Sequence, residues 1–193
     1  IPDVLVVDDG SDDETRARAQ NAGAVVVRHC VNRGLGAALG TGIAAALDAS
    51  ADIIVTLDAD GQHDPADIAA VAAPIQAGFA DLVIGVRSGD GAPVHRQWFH
   101  GIANLFTRVL FGVRCSDTQS GFRALSRRAA KQIEIRTNRM EVSSEMLAEA
   151  VRLGLRVAEV PIRTIYTEYS LSKGQGLGEG IRTAWSLLLR RLF

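Results

Sequence analysis

The sequence predicts an α/β domain, a mostly parallel sheet with helices on both faces. Three observations predict it. Residues 4–7 are a continuous apolar run, as in a strand buried on both faces, and the short runs 53–57 and 82–86 read as further strands. Helical patterns separate them, so strand and helix alternate. Asp8, Asp58 and Arg87 each stand just past one of those runs. Right-handed crossovers put the strand carboxyl ends on one edge of such a sheet, where its ligands bind. The three residues are therefore expected to be neighbours.

Each element has a local reason. Past residues 4–7, Ser11 and Glu14 have capping-box spacing, which predicts a helix start. Residues 24–27 read as a second strand. Residues 32–36 form a loop, and an Ala-rich helix follows to about Ala49. Asp64-Pro65 supplies an N-cap and a proline at the first helical position, with the helix running to about Ala77. Beyond residues 82–86 the pattern is less regular. A Gly-rich loop at 88–93 precedes a helix at about 94–111. Residues 115–120 are a polar loop and 121–125 a strand. Residues 140–153 predict an amphipathic helix, with Val142, Met146, Ala150 and Leu153 on one face. A strand at 155–162, a Gly- and Ser-rich stretch at 169–180 and a helix at 181–193 complete the chain. No internal repeat or linker divides the 193 residues, so one domain is expected.

Composition narrows the function. Apolar residues make up 47%, enough for a sizeable core. The net charge of −1 provides no global field for nucleic acid, so attraction to phosphate must be local. Cys30 and Cys115 lack metal-ligand spacing, and a reduced compartment is the default. No stretch approaches the roughly 20 apolar residues of a membrane span. A strand begins almost at Ile1 with no initiator Met before it, and we expect an N-terminal segment to be missing.

The chemistry concentrates in Asp58-Ala59-Asp60. Two carboxylates at i and i+2 leaving a strand can point the same way. Mg²⁺ or Mn²⁺ favours such oxygens, and substrate phosphates complete the shell. Gln62 can supply a further ligand. The alternative is helix capping, for which Asp64 is better placed. Asp58-Ala59-Asp60-Gly61 also fits the nucleophile motif of haloacid-dehalogenase-type phosphatases. In that family the motif usually follows the first strand, whereas two strands precede it here.

Other segments choose between these readings. Asp8-Asp9-Gly10-Ser11-x-Asp13-x-Thr15, then Asn32-x-Gly34-x-Gly36-x-Ala38, then Asp58-Ala59-Asp60-Gly61-Gln62-His63 occur in order. Together they resemble glycosyltransferase family 2, with its GT-A (Rossmann-like) fold, over most of the chain. Gly85-Val86-Arg87, the 117–123 segment Asp-Thr-Gln-Ser-Gly-Phe-Arg, and Tyr169-Ser170-x-Ser172-Lys173 look like its polyprenyl-phosphate branch, which includes dolichyl-phosphate mannose and glucose synthases. The stretch from Ser143 to Leu147 looks most like archaeal members.

The resemblance implies an inverting transfer of a sugar from a UDP- or GDP-sugar to dolichyl or polyprenyl phosphate. Residues of about 1–90 would form the nucleotide-sugar half and about 91–193 the acceptor half. Asp8 and Asp9 would contact the nucleotide, with Gly34 and Arg87 also on the donor side. Asp58, Asp60 and Gln62 would hold Mg²⁺ or Mn²⁺ and the diphosphate. Asp117 and Asp60 would act at the reacting centre. Arg96, Arg123, Ser172 and Lys173 would meet the acceptor phosphate. A family strand ending in Pro-x-x-Asn-Glu is absent, so the first strand is expected to be missing from this chain.

The acceptor decides what Asp117 does. A phosphate monoester has a second pKa near about 6 and arrives largely ionised. It needs little general-base help, whereas a sugar hydroxyl would make Asp117 a base. Ile181, Trp185, Leu188 and Leu192, with Arg182, Arg190 and Arg191, suit a membrane surface or the domain's own core. The resemblance implies a protein peripheral at the cytoplasmic face of the membrane. Three alternatives stay open: a family 2 enzyme acting on a saccharide hydroxyl, a phosphatase of the rival class with Asp58 as nucleophile, and a non-catalytic module of the same fold.

Overall fold

The computed structural model describes residues 4–87, 115–139 and 141–165. The chain runs β1 (Leu5–Asp8), α1 (Thr15–Asn21), β2 (Val25–Arg28), α2 (Leu35–Asp48) and β3 (Ile53–Thr56). A 3-10 turn (Pro65–Asp67) leads into α3 (Ile68–Gln76), followed by β4 (Leu82–Arg87). Then come β5 (Arg123–Ser126), α4 (Arg127–Gln132), α5 (Val142–Arg152) and β6 (Val157–Ile162). The expected helices at 94–111 and 181–193 and the stretches 88–93 and 169–180 lie outside the described residues.

The expectation of a mostly parallel sheet needs correcting. The strands form two small sheets. β1 and β2 pair in parallel, and a second sheet has the order β3-β5-β4-β6. β4 and β6 are parallel, but β5 runs antiparallel to both of its neighbours. Apolar runs report burial and carry no information on strand direction, so β5 was not distinguishable. Its reversal matters for the site. Arg123, the first residue of β5, pairs with Thr56, the last residue of β3, and with Ile84 of β4. The loop entering β5 therefore lies at the same edge as the carboxyl ends of β3 and β4.

Helices cover both faces of the four-stranded sheet, as expected. Successive side chains of a strand point to opposite faces, and β4 shows this directly. Leu82 and Ile84 join Ile43, Ile54, Leu125, Met146 and Leu147 on the side of α2, α4 and α5. Val83 joins Val71, Phe122, Ala124 and Ile162 on the side of α3. Both clusters are fully or almost fully buried, which fixes the strand register.

Helix ends follow the sequence in part. Asp64 accepts the Ala66 N–H at 2.9 Å and Pro65 takes the first position, but the first turn is 3-10. The capping box at Ser11 and Glu14 does not form. The Ser11 N–H instead donates to Asp8 at 2.8 Å, and Asp13 caps the Thr15 N–H at 2.9 Å. Asp8 competes successfully for Ser11 because it ends the preceding strand and faces the turn. α4 was not expected; the Ser126 hydroxyl caps it by accepting the Ala129 N–H. The amphipathic face of α5 is as read, with Val142, Met146 and Ala150 buried and Leu153 packed against them.

Candidate active site

The 58–63 segment leaves β3 and turns back on itself. Gly61 takes φ +77°, a left-handed conformation that suits glycine. Asp60 is held from within the turn. Its carboxylate accepts the Gln62 N–H at 3.0 Å and the Gln62 side-chain amide at 2.9 Å. The Gln62 amide nitrogen thus serves Asp60 in this structure. The Asp58 N–H donates to His63 Nδ1 at 3.2 Å, so the ring is neutral and carries its proton on Nε2. Burial pushes the His63 imidazole below its usual pKa, in keeping with that bond. Its ring lies 5.2 Å from that of Phe122.

Asp58 is exposed as a residue, yet its carboxylate lies against Gly121. A Cβ at position 121 would fall 2.3 Å from Asp58 Oδ2 and 2.7 Å from its Cγ. The absent side chain is what lets the carboxylate sit there. Desolvation by the surrounding protein pushes the Asp58 carboxyl up. Asp60 pushes it the same way, while Arg87 and Arg123 oppose the shift. A second oxyanion brought close without a cation would be repelled. Among the described residues no three His, Cys, Asp or Glu side chains converge as a metal cluster. The donor set is a carboxylate pair, which suits a hard cation whose remaining ligands come from substrate phosphates and water.

The facing wall is the loop 115–121, and nearly every residue of it is tied. Ser116 donates its N–H and hydroxyl to Glu159, at 2.5 and 2.8 Å. Asp117 is buried and accepts both Nε and Nη2 of Arg87, at 2.6 and 2.8 Å, together with the Arg87 N–H at 3.3 Å. Gln119 donates to the buried Ser144 of α5 at 3.1 Å, and the Gly121 carbonyl accepts from Thr56 at 3.0 Å. Arg123 is 2% exposed. It donates Nε to the Ser120 carbonyl and Nη2 to the Thr118 carbonyl, at 2.9 and 2.8 Å. Burial pulls its guanidinium pKa down to about 10. Arg123 thus lies inside, beneath the loop, where the sequence reading expected a phosphate contact. Burial also pushes the Cys115 thiol up to about 12, which leaves it unreactive.

Asp8 and Asp9 belong to the β1 side. Hydrogen bonds from Ser11 hold the buried Asp8 carboxyl below its usual range, and Arg28 lies 3.3 Å away. Asp8 Oδ2 has no hydrogen-bond partner among the described residues. Asp9 accepts the N–H groups of Arg33 and Gly34, at 2.9 and 2.7 Å, and meets His29 Nδ1 at 2.6 Å. His29 Nε2 meets the Thr41 hydroxyl at 2.9 Å. Partial burial pushes Asp9 up, but these hydrogen bonds outweigh it and leave its carboxyl below the usual range. Asp9 thereby shapes the loop that carries Gly34, which sits at φ +96°. The expected neighbourhood of Asp8, Asp58 and Arg87 is met for Asp58 and Arg87, which feel each other's charge. Asp8's partners come from β2 and the turn after β1.

Arg96, Ser172 and Lys173 lie outside the described residues. Sequence reasoning missed Gly121, whose signal was a glycine beside a polar loop entering a strand. It also missed Glu145. That carboxylate accepts the N–H groups of Arg136 and Thr137, at 3.1 and 2.9 Å, and holds the 136–138 segment against Gly34 and Gly36.

Known proteins are similar to this chain in sequence and fold. The model of glycosyl transferase family 2 matches residues 2–134. An uncharacterized protein of Methanocaldococcus jannaschii is 43% identical, over 98% of this chain and 81% of its own length. The UDP-N-acetylglucosamine–dolichyl-phosphate N-acetylglucosaminyltransferase of Methanococcus voltae is 34% identical, over 98% of this chain and 85% of its own. Among solved structures, glucosyl-3-phosphoglycerate synthase from Mycobacterium tuberculosis, in complex with Mn²⁺, uridine diphosphate and phosphoglyceric acid, superposes with a TM-score of 0.76. It is 27% identical, over 98% of this chain and 67% of its own.

Proposed function

The chain belongs to glycosyl transferase family 2, and from that premise we propose that it moves a sugar, with inversion, from a UDP- or GDP-sugar to a polyprenyl or dolichyl phosphate. The observation that carries this reading is the set of residues gathered at the strand ends. An acidic pair, Asp58 and Asp60, lies at the same edge as a rigid loop whose Asp117 is locked to Arg87. The Methanococcus voltae relative is named for a dolichyl-phosphate acceptor, and the solved structure holds uridine diphosphate with Mn²⁺.

In this reading Asp58 and Asp60 hold Mg²⁺ or Mn²⁺ together with the donor diphosphate, and Gln62 either joins them or keeps Asp60 in place. When bound, the cation supplies neutralising charge to the departing diphosphate. Asp8, whose buried Oδ2 has no hydrogen bond among the described residues and meets only the Arg28 guanidinium, faces the nucleotide. Asp9 and Gly34 shape the adjoining loop. Asp117, fixed by Arg87, favours the positive charge that develops on the sugar. Arg123 organises the loop carbonyls, and Arg96, Ser172 and Lys173 receive the acceptor phosphate. No helix among the described residues is long and apolar enough to cross a membrane. A lipid acceptor still calls for a membrane surface, and we assign the protein to its cytoplasmic face.

A second reading has its own support. The solved structure names phosphoglyceric acid, which offers a hydroxyl acceptor beside its phosphate. The test is transfer of radiolabelled sugar from UDP- and GDP-sugars, with Mn²⁺, to polyprenyl phosphate or to phosphoglycerate. Label in the organic phase supports the proposal, and label only in water-soluble product overturns it. Asp60→Asn should lower transfer by at least about 100-fold, since even partners outside a metal's own ligands are worth roughly 10–100-fold. Full activity in that variant would remove the metal assignment.

A further inference from the structure

We propose that Arg163 is a positioning residue for the acidic pair, tying the end of β6 to the turn that carries Asp58 and Asp60. This rests on the donor-site reading above. The ladder between β4 and β6 ends at the Arg87 and Ile162 pair. Arg163 is the next residue, and Asp67 takes over where the ladder stops. Asp67 Oδ2 accepts the Arg163 N–H at 2.8 Å, while Oδ1 accepts Nε and Nη2 at 3.2 and 3.0 Å. Nη2 also lies 3.2 Å from Oδ2 of Asp64, the residue that caps the 3-10 turn. Two residues on, the Ile165 N–H donates to the Gln62 carbonyl at 2.9 Å, and Thr164 bridges His63 in antiparallel register.

Three consecutive residues, 163–165, are thus stitched along 62–67. Gln62 passes the constraint on, because both of its nitrogens donate to Asp60. The turn needs such support. Gly61 sits at its tip with nothing within 4 Å of where a Cβ would be, so that side of the tip is open. An isolated exposed ion pair would contribute little. Here main chain and guanidinium converge on one carboxylate, which fixes geometry as well as charge.

The experiment is calorimetric titration of Mn²⁺ with UDP or GDP, and Mn²⁺ binding followed by electron paramagnetic resonance. The proteins are the wild type, Arg163→Gln, Arg163→Lys and the isosteric Asp67→Asn. We expect Arg163→Gln and Asp67→Asn to weaken Mn²⁺–nucleotide binding by roughly 3–10-fold, below the 10–100-fold of a direct partner. Their kcat at saturating Mn²⁺ should hold, and Arg163→Lys should recover part of the loss. Wild-type Mn²⁺ affinity in a folded Asp67→Asn or Arg163→Gln protein overturns the proposal, even if Tm falls. A wild type that binds neither nucleotide with Mn²⁺ overturns the donor-site reading itself, a separate outcome.

Discussion

Gly121→Ala adds one methyl group at the point where the loop 115–121 meets Asp58. The backbone at position 121 is not in the left-handed region, so alanine brings no conformational strain. The whole effect is steric. The new Cβ would lie 2.3 Å from Asp58 Oδ2, against the 3.4 Å at which ordinary contact begins. The carboxylate must retreat by about 1 Å or more, because backbone lies on the other side of the contact. Overpacking typically costs about 1–3 kcal/mol. Asp58 is exposed as a residue and can swing outward, so about 1 kcal/mol of stability is expected. Turnover should suffer more. A misplacement of about 1 Å in a positioned group can cost roughly 100-fold. The assay is sugar transfer as a function of Mn²⁺, beside thermal unfolding of the same samples. Gly40→Ala is the control, since nothing lies within 4 Å of its would-be Cβ in α2. It should leave transfer unchanged and be neutral or stabilising by up to about 1 kcal/mol. A Gly121→Ala enzyme with wild-type turnover and Mn²⁺ dependence would refute the placement of Asp58.

Three further outcomes follow from the geometry. Arg87→Lys keeps the charge but loses the two-pronged grip on Asp117, so kcat should fall by roughly 10–100-fold with folding intact; an unchanged kcat would show that the fork is dispensable. Glu145→Ala removes the acceptor of two backbone N–H groups and the Thr137 hydroxyl, and urea unfolding should show a loss of about 2–3 kcal/mol. Hydrogen bonds from Arg156 hold the buried Asp81 carboxyl below its usual 3.8. A carboxylate lowered on folding contributes stability that is whole above the unfolded value and is lost as pH falls through the folded one. Arg156→Met should therefore destabilise the protein at pH 7 and flatten the decline in its unfolding free energy below about pH 4; an unchanged acid limb would dismiss the pair's role.

The parts of the fold legible in the sequence are those set by burial periodicity. β3, β4 and α5 read clearly because Ile54, Leu82, Val83, Val142 and Met146 follow the period of their elements. The direction of β5 was hidden, because Ala124 and Leu125 look the same run either way. In the site, charged residues were found as residues but not as partners. Asp117 and Arg87 were assigned separate roles, yet they bind each other across 30 positions of sequence. Arg123 looked like a surface phosphate contact because a buried arginine needs carbonyl acceptors, and only the folded loop supplies those of Thr118 and Ser120. Gly121 and Glu145 act through what they touch, and touch is not written in one dimension.

The loop 115–121 also bears on which acceptor the proposed reaction takes. Ser116, Asp117, Gln119 and Gly121 hold partners from β6, β4, α5 and β3, and the Thr118 and Ser120 carbonyls both accept from the buried Arg123. Such a loop is pre-organised, and pre-organisation serves positioning. A general base must change its hydrogen bonding within each turnover, and Asp117 would have to do so against the Arg87 fork. A lipid phosphate relieves it of that task, because its second ionisation near about pH 6 leaves it ready to attack. The acid limb of kcat/KM should then follow the acceptor and not the protein. A phosphonate acceptor, whose second ionisation lies higher, should move that limb to higher pH, while Asp117→Asn should lower the rate without moving it. A limb that stays fixed when the acceptor is changed, but shifts in Asp117→Asn, would restore Asp117 as the base and favour a hydroxyl acceptor.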